Sequence, residues 1–339
     1  MQNMILAFLV AAAVAIVISP WFIKMLRRLK YGQVERAEGP HAHSAKEGTP
    51  TMGGIMFIIG IIAAVLIFSD YGIALQYSIP ALAIMVAFGL VGFLDDFIKV
   101  KMKRNLGLKA YQKIIAQFLM AFAAAFFAYK SEFIGSQIYD PLFGGIELGW
   151  WYIPFMMFTI IAIVNSANLT DGLDGLLSGV TLIYALAMGI LFLYFAKAFD
   201  SGMFGEPLFI AESKGMLNMG VFAFAVAGGC VGFLRSNSYP AKVFMGDTGS
   251  MALGGAMSAM VIYSRSPFIY LLMGCCIVAS AVSVVLQVGS FKLRHDKRIF
   301  RMAPLHHHFE KLGFPETKIV AGYMIVTSIC CLAALALFF

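Results

Sequence analysis

Long apolar runs alternate with short polar breaks along the whole chain. Runs of about 17–25 apolar residues are long enough to cross a bilayer as helices. Ten are legible, at 4–23, 52–69, 77–98, 111–129, 150–168, 176–196, 216–234, 249–263, 267–290 and 318–339, and the eighth is short and rich in glycine. The predicted fold is an all-α integral membrane protein of about ten transmembrane helices, one polytopic unit over 1–339. The first run, Met4 to Ile23, lacks a basic leader and a small-residue cleavage site. It is expected to be a first span and not a removed signal.

An even number of spans puts both termini on one side and sorts the polar breaks into two sets. One set, 24–51, 99–110, 169–175, 235–248 and 291–317, holds six, five, none, two and six Lys or Arg. The other set, 70–76, 130–149, 197–215 and 264–266, holds four in all: Lys130, Lys197, Lys214 and Arg265. Basic loops stay in the cytoplasm, so the first set is expected there and both termini outside. Composition supports the membrane reading. Of 339 residues 60% are hydrophobic and 13% charged, with mean hydropathy +0.84, against roughly half and a quarter in soluble domains. The formal charge of +7 matters less than its placement, and no nucleic-acid partner is expected. The five cysteines, Cys230, Cys275, Cys276, Cys330 and Cys331, lie in apolar runs without metal-site spacing and read as buried hydrophobes. Gly228 and Gly232 make a GxxxG, expected to serve close helix packing.

Four polar stretches carry the candidate chemistry, and all fall on the predicted cytoplasmic side: DDFIK from Asp95, NSANLTDGLDG from Asn165, FMGDTGS from Phe244 and PLHHHFE from Pro304. Asp95, Lys99 and Lys103 are spaced to share one helix face, which suits a phosphate met by cations and by a base or a metal. Neighbouring Asp95 and Asp96 diverge by about 100°, so one of them is expected to face a given ligand. Asp171 and Asp174 share a face if the break is helical, with Gly172 and Gly175 letting the backbone turn; the alternative is a turn capped by Asn168 or Thr170. Asp247 adds a further carboxylate, flanked by Gly246 and Gly249, although an N-cap role alone is the structural alternative. Oxygen-only ligands suit Mg²⁺, with Mn²⁺ as a substitute, better than Zn²⁺. His306, His307 and His308 follow a basic loop and suit phosphate binding; Lys46, before GTPTMGG, can reach a ligand from another side. No GxxxxGK[ST] or GxGxxG is present, so a nucleotide would be held by an uncommon route. Acids that ask for a divalent metal, cations that ask for phosphate and apolar spans that suit a lipid tail together predict metal-assisted phosphoryl transfer between a soluble donor and a lipid acceptor.

DDFIK, NLTDGLDGL, FMGDTGS and APLHHHFE, in this order across nearly the whole chain, resemble the polyprenyl-phosphate N-acetylhexosamine-1-phosphate transferases. APLHHHFE with KEGTPTMGG is similar to the branch that uses UDP-MurNAc-pentapeptide. The resemblance implies transfer of phospho-MurNAc-pentapeptide to undecaprenyl phosphate in a bacterial cytoplasmic membrane, giving lipid I and UMP, with Mg²⁺ required and a homodimer common in the family. It implies Asp247 as the Mg²⁺ ligand, Asp95 or Asp96 as the group that deprotonates or positions the lipid phosphate, and His307 as a further catalytic group. Lys99, Lys103 and Lys113 would hold phosphates. The uridine would lie near Lys46, Asn168, Asp171, Gly172, Leu173, Asp174 and Asn237, with Phe244 stacked on the base, and Thr51 would be a further substrate-binding residue. Gln287, His306, His307 and His308 would line the sugar-phosphate side. Direct attack by the lipid phosphate is preferred to a two-step route with a carboxylate nucleophile, for which Asp95, Asp96 and Asp247 are the candidates.

Three other readings compete. A sister transferase would take UDP-N-acetylglucosamine, which the histidine motif opposes and donor competition decides. An ion-coupled transporter would place acids near mid-membrane, whereas here they stand at span ends. A non-catalytic lipid-binding scaffold would have no use for the acids.

Overall fold

The computed structural model describes residues 1–29, 48–102, 107–141, 144–201, 209–293 and 298–339. Lys46 and Lys103 lie outside them. The order is α1 (Gln2–Arg28), α2 (Gly54–Phe68), α3 (Tyr71–Ala74), α4 (Ser78–Lys101), α5 (Ala110–Lys130), β1 (Gln137–Asp140), β2 (Gly144–Glu147), α6 (Tyr152–Thr170), α7 (Leu176–Asp200), α8 (Phe209–Asn237), α9 (Gly246–Ser264), α10 (Pro267–Met273), α11 (Cys275–Leu293), α12 (Leu305–Lys311) and α13 (Glu316–Ala336). Among the described residues eight helices, α1, α4, α5, α6, α7, α8, α11 and α13, are long and apolar enough to cross a membrane. The chain is a multi-pass membrane protein.

Three of the ten expected runs differ for physical reasons. α2, at 15 residues, is apolar but short. α9 is the centre of the bundle, and every residue from Thr248 to Ser264 is buried. A helix with no lipid-facing side needs no lipophilic surface; it needs small residues so that neighbours can approach. A Cβ on Gly254 would stand 2.7 Å from Val164 Cα of α6, and one on Gly255 3.0 Å from Ile84 O of α4. The ninth run is likewise two pieces, α10 and α11, parted at Gly274. The GxxxG serves packing: a Cβ on Gly228 would meet Phe8 O of α1 at 2.1 Å, and one on Gly232 would meet Ala12 O at 2.6 Å. The fold is all-helical as expected, with one short ribbon as an addition. β1 and β2 pair antiparallel, Gln137 opposite Glu147 and Asp140 opposite Gly144, so that their backbone groups satisfy one another. The five cysteines are free.

Contacts gather one end of most helices together. The start of α9 meets the ends of α4 and α6 and the start of α5; the start of α7 meets the end of α8 and the start of α13. All four polar stretches stand at that end.

Candidate active site

The last two turns of α4 carry Asp95, Asp96 and Lys99. Asp95 and Asp96 are each 3% exposed, although both are charged types that are almost never buried without partners. Their partners differ, as adjacent helical positions require. Asp96 serves the N-terminus of α9: it accepts the Thr248 N–H at 2.8 Å, the Thr248 hydroxyl at 2.7 Å and the Asp247 N–H at 3.2 Å. Those amides are among the four at a helix start that lack an internal acceptor, and a carboxylate there also faces the positive end of the helix dipole. So the cap of α9 comes from a different span, and neither Asp247 nor Thr248 nor Ser250 caps it. Asp95 accepts the Leu108 N–H at 2.8 Å and holds the Lys99 ammonium at 2.5 Å. Lys101, one turn further, is exposed and sits over the Phe97 ring.

Relieved of capping, the Asp247 carboxylate is free to gather side chains. It accepts Lys99 Nζ at 2.7 Å and Lys113 Nζ of α5 at 3.1 Å on Oδ2, and Asn168 Nδ2 of α6 at 2.7 Å on Oδ1. Asn168 Nδ2 also donates to Ser250 at 2.8 Å. One ligand atom each from Asp95, Asp96 and Asp247 lies within 4.8 Å of the others. These three carboxylates face two ammonium groups, Lys99 on all three and Lys113 on Asp247. The donor set is oxygen only. Such a cluster fits a hard divalent cation.

The break between α6 and α7 is a turn and not a helical continuation, so Asp171 and Asp174 do not share a helix face. Asp174 and Asn237 stitch it to neighbouring segments. The Asp174 N–H donates to Glu316 Oε1 at 2.6 Å, and Asp174 Oδ2 accepts the Ala241 N–H at 2.9 Å. Asn237 accepts the Gly175 N–H at 3.1 Å and the Ser178 hydroxyl at 3.3 Å, and donates to Val243 O at 3.0 Å. Gly175, in the left-handed region at φ +78°, precedes α7 without a side-chain cap. Asn168, suggested as a cap for this turn, points instead to Asp247. Leu173 is buried, and Asp171 is half-buried. Burial, and then the charges of Asp247, Asp96 and Asp174, push the Asp171 carboxyl up to about 8.

Phe244 is half-buried and its backbone is pinned to the segment before α2: its N–H donates to Pro50 O at 2.9 Å and its carbonyl accepts the Gly53 N–H at 2.8 Å. Between Phe244 and Asp247 stands Gly246 at φ +71°, where a Cβ would fall 2.5 Å from Asp96 Oδ2 and 2.7 Å from Thr51 Oγ1. Thr51 thus borders the acid cluster. On α12 the three histidines do different things. His306 is fully buried with its ring against Gly172, His307 Nδ1 stands 2.5 Å from Glu310 Oε2, and His308 Nδ1 accepts the Arg301 N–H at 3.1 Å. Gln287 clamps the loop before α12, accepting the Ile299 and Phe300 N–H groups and donating to Phe300 O at 3.1 Å.

The structure therefore brings Asp95, Asp96, Lys99, Lys113, Asn168 and Asp247 into direct contact and sets Thr51 beside them. Asp174 and Asn237 belong to an adjoining stitched loop, and His308 and Gln287 hold backbone. Sequence reasoning left out Glu316 and Glu310. Glu310 closes the PLHHHFE motif and Glu316 follows it by six residues; an acid in so basic a segment is the signal that could have found them.

Comparison with known proteins follows the same lines. A family profile described as glycosyl transferase family 4 matches residues 78–265, and a phospho-N-acetylmuramoyl-pentapeptide-transferase signature matches 46–58. The chain is 48% identical to the phospho-N-acetylmuramoyl-pentapeptide-transferase of Clostridioides difficile (strain 630), over 94% of this chain and 92% of the relative. It is 45% identical to that of Thermoanaerobacter sp. (strain X514), over 97% and 96%, and 44% identical to that of Clostridium novyi (strain NT), over 98% and 96%.

Proposed function

Since the chain belongs to the phospho-N-acetylmuramoyl-pentapeptide-transferase family, we propose that it transfers phospho-MurNAc-pentapeptide from UDP-MurNAc-pentapeptide to undecaprenyl phosphate, releasing UMP and forming lipid I. The observation that carries this reading at the level of atoms is the Asp95–Asp96–Asp247 cluster with Lys99 and Lys113 on Asp247. Positive-inside logic assigns the gathered helix ends to the cytoplasmic face of a bacterial plasma membrane, where a soluble UDP donor is available.

Asp247 would hold Mg²⁺, aided by an oxygen of Asp95 or Asp96, and Mn²⁺ would substitute. Bound there, the ion would neutralise charge on the diphosphate as a Lewis acid. The chain's own groups do the rest. An oxygen of the lipid phosphate attacks the phosphorus bonded to MurNAc, and the anhydride bond to UMP breaks. Asp95 is the better candidate for positioning or deprotonating the lipid phosphate, since both oxygens of Asp96 already serve the start of α9. Lys99 and Lys113 would move from carboxylate to phosphate as substrate enters. A carboxylate held by two ammonium groups and an amide is a poor nucleophile, which favours direct attack over a covalent route through Asp247. The prenyl tail would lie along α5, whose Lys113 turns inward while Ile114, Phe118 and Phe122 are exposed. Phe244, Asn237, Asp171, Gly172, Leu173 and Asp174 would receive the uridine, with His307 on the sugar-phosphate side.

The test is UMP release by purified protein given undecaprenyl phosphate, Mg²⁺ and either UDP-MurNAc-pentapeptide or UDP-N-acetylglucosamine. Release with the muramyl donor alone, abolished by EDTA, is the expected result. Release only with the other donor would overturn the substrate assignment, and no release from folded protein would overturn the reaction.

A further inference from the structure

A second polar cavity, of about 210 Å³, lies at the same end of the bundle between the last turns of α1 and α8. Its polar lining is Arg27, Arg235, Lys242, Ser19 and Ser236, with Pro20 and Ile23 as the apolar wall. It shares no residue with the acid cluster. Three cations and no acid line it. Among the described residues none of the three cations stands in an ion pair. All three are exposed, so they rim the mouth. At its floor Ser19 and Ser236, 3% and 7% exposed, share one hydrogen bond of 2.6 Å. Such a pair uses one of its two protons, which leaves one buried hydroxyl to donate to whatever enters.

Three cations above a hydroxyl donor select a polyvalent oxyanion, and two guanidinium groups select phosphate in particular, since their planar forks meet two of its oxygens at once. The depth is that of lipid headgroups. Arg27 and Arg235 end spanning helices, and Trp21, which follows the lining residue Pro20 in sequence, is 67% exposed, as an aromatic at the membrane interface would be. Val17, one turn before Trp21 on α1, is 75% exposed, as a lipid-facing side chain would be. We propose that this cavity is a phosphate-binding site filled by the headgroup of an anionic membrane lipid. Its rim residue Lys242 lies two positions before Phe244, on the loop that Asp174 and Asn237 stitch in place, so an occupied site would brace the edge of the active centre.

The test is native mass spectrometry of the full chain with added phosphatidylglycerol or phosphatidylcholine. The wild type should retain phosphatidylglycerol at concentrations where phosphatidylcholine does not bind. The Arg27→Gln/Arg235→Gln/Lys242→Gln variant should lose affinity on the order of 100-fold, since each cation near an anionic headgroup contributes about fivefold. The control pair Lys24→Gln/Arg28→Gln, exposed on the same helix but outside the cavity, should bind as wild type. Arg235→Glu alone provides a second variant should the triple one fold poorly, and it should weaken the lipid at least as strongly as loss of a single cation. Displacement of the lipid by inorganic phosphate would identify the free anion as a second occupant of the same site. Unchanged lipid retention in the cavity variants, or equal loss in the control pair, would overturn the proposal.

Discussion

Gly172→Ala tests whether the interhelical break and α12 act as one unit. Gly172 is not in the left-handed region, so the substitution adds a steric contact and no backbone strain. The new Cβ would stand 2.2 Å from His306 Nε2 and 3.1 Å from Cδ2 and Cε1, where ordinary contact begins near 3.4 Å. The ring must therefore retreat by about 1.2 Å. It is fully buried, with the His307 and Tyr323 rings 4.3 Å and 6.4 Å away by centroid, so it cannot swing into solvent and α12 must shift with it. Overpacking of this kind costs about 1–3 kcal/mol. A displacement near 1 Å in a positioning element costs on the order of 10²-fold in rate. The assay is UMP release at saturating donor and lipid, paired with the unfolding midpoint in detergent. We expect Gly172→Ala to lower both. In a His306→Ala background, where the obstructing ring is gone, adding Gly172→Ala should change the midpoint little, and the cycle should show a coupling of about 1–3 kcal/mol. Wild-type turnover in the single variant, or costs that simply add in the double variant, would refute the packing argument.

Other substitutions separate the remaining roles. Asp247→Asn should lower turnover by at least ~10²-fold and abolish the rise in unfolding midpoint that we expect Mn²⁺ to give the wild type; a rise retained in the variant would take Asp247 out of the proposed metal site. Phe244→Ala should raise the donor KM roughly 5- to 150-fold, the range that base stacking of about 1–3 kcal/mol implies, and leave the lipid KM unchanged. An unaltered donor KM would defeat the stacking role. Thr248→Val removes a hydroxyl that donates to the Asp96 carboxylate at 2.7 Å, a bond to a charged group of about 1.5–3 kcal/mol. It should lower the unfolding midpoint, and a rise would show that the Asp96 contact does not hold the start of α9.

Much of this site was legible in the chain because its chemistry requires unusual residues in an apolar context. Asp95 with Lys99 one turn on is a helical pair that spacing alone predicts, and the structure has it. What spacing cannot give is a partner 148 residues away, and Lys99 to Asp247 is such a pair. Asn168 was open to reading as a cap because a polar residue before a turn fits that pattern; only the packing of α6 on α9 turns it to Asp247. Spans that face lipid announce themselves by hydropathy, whereas α9 faces protein on all sides and is coded instead by small residues. The ribbon at 137–147 has its turn chemistry in plain view, Pro141 before Gly144 and Gly145, but strands of four residues are too short to assert a period against the apolar runs around them.

The acid cluster owes its geometry to backbone and not to side-chain choice. A Cβ on Gly92 would stand 2.1 Å from Asp247 O and 2.7 Å from Thr248 N, so α4 touches the first turn of α9 main chain to main chain. One turn along α4, Asp96 takes up the amides of that same first turn. The Cα of Asp247 is thereby fixed relative to Asp95 and Lys99 before any side chain adjusts. Acids held this way need no backbone rearrangement when a diphosphate arrives and only the lysine side chains must move, which keeps the reorganisation that opposes barrier lowering small. The same contact explains why the central helix is poor in lipophilic residues. A bulkier or more lipid-seeking α9 would part α4 from it, and with that separation the carboxylates would no longer lie within reach of one another.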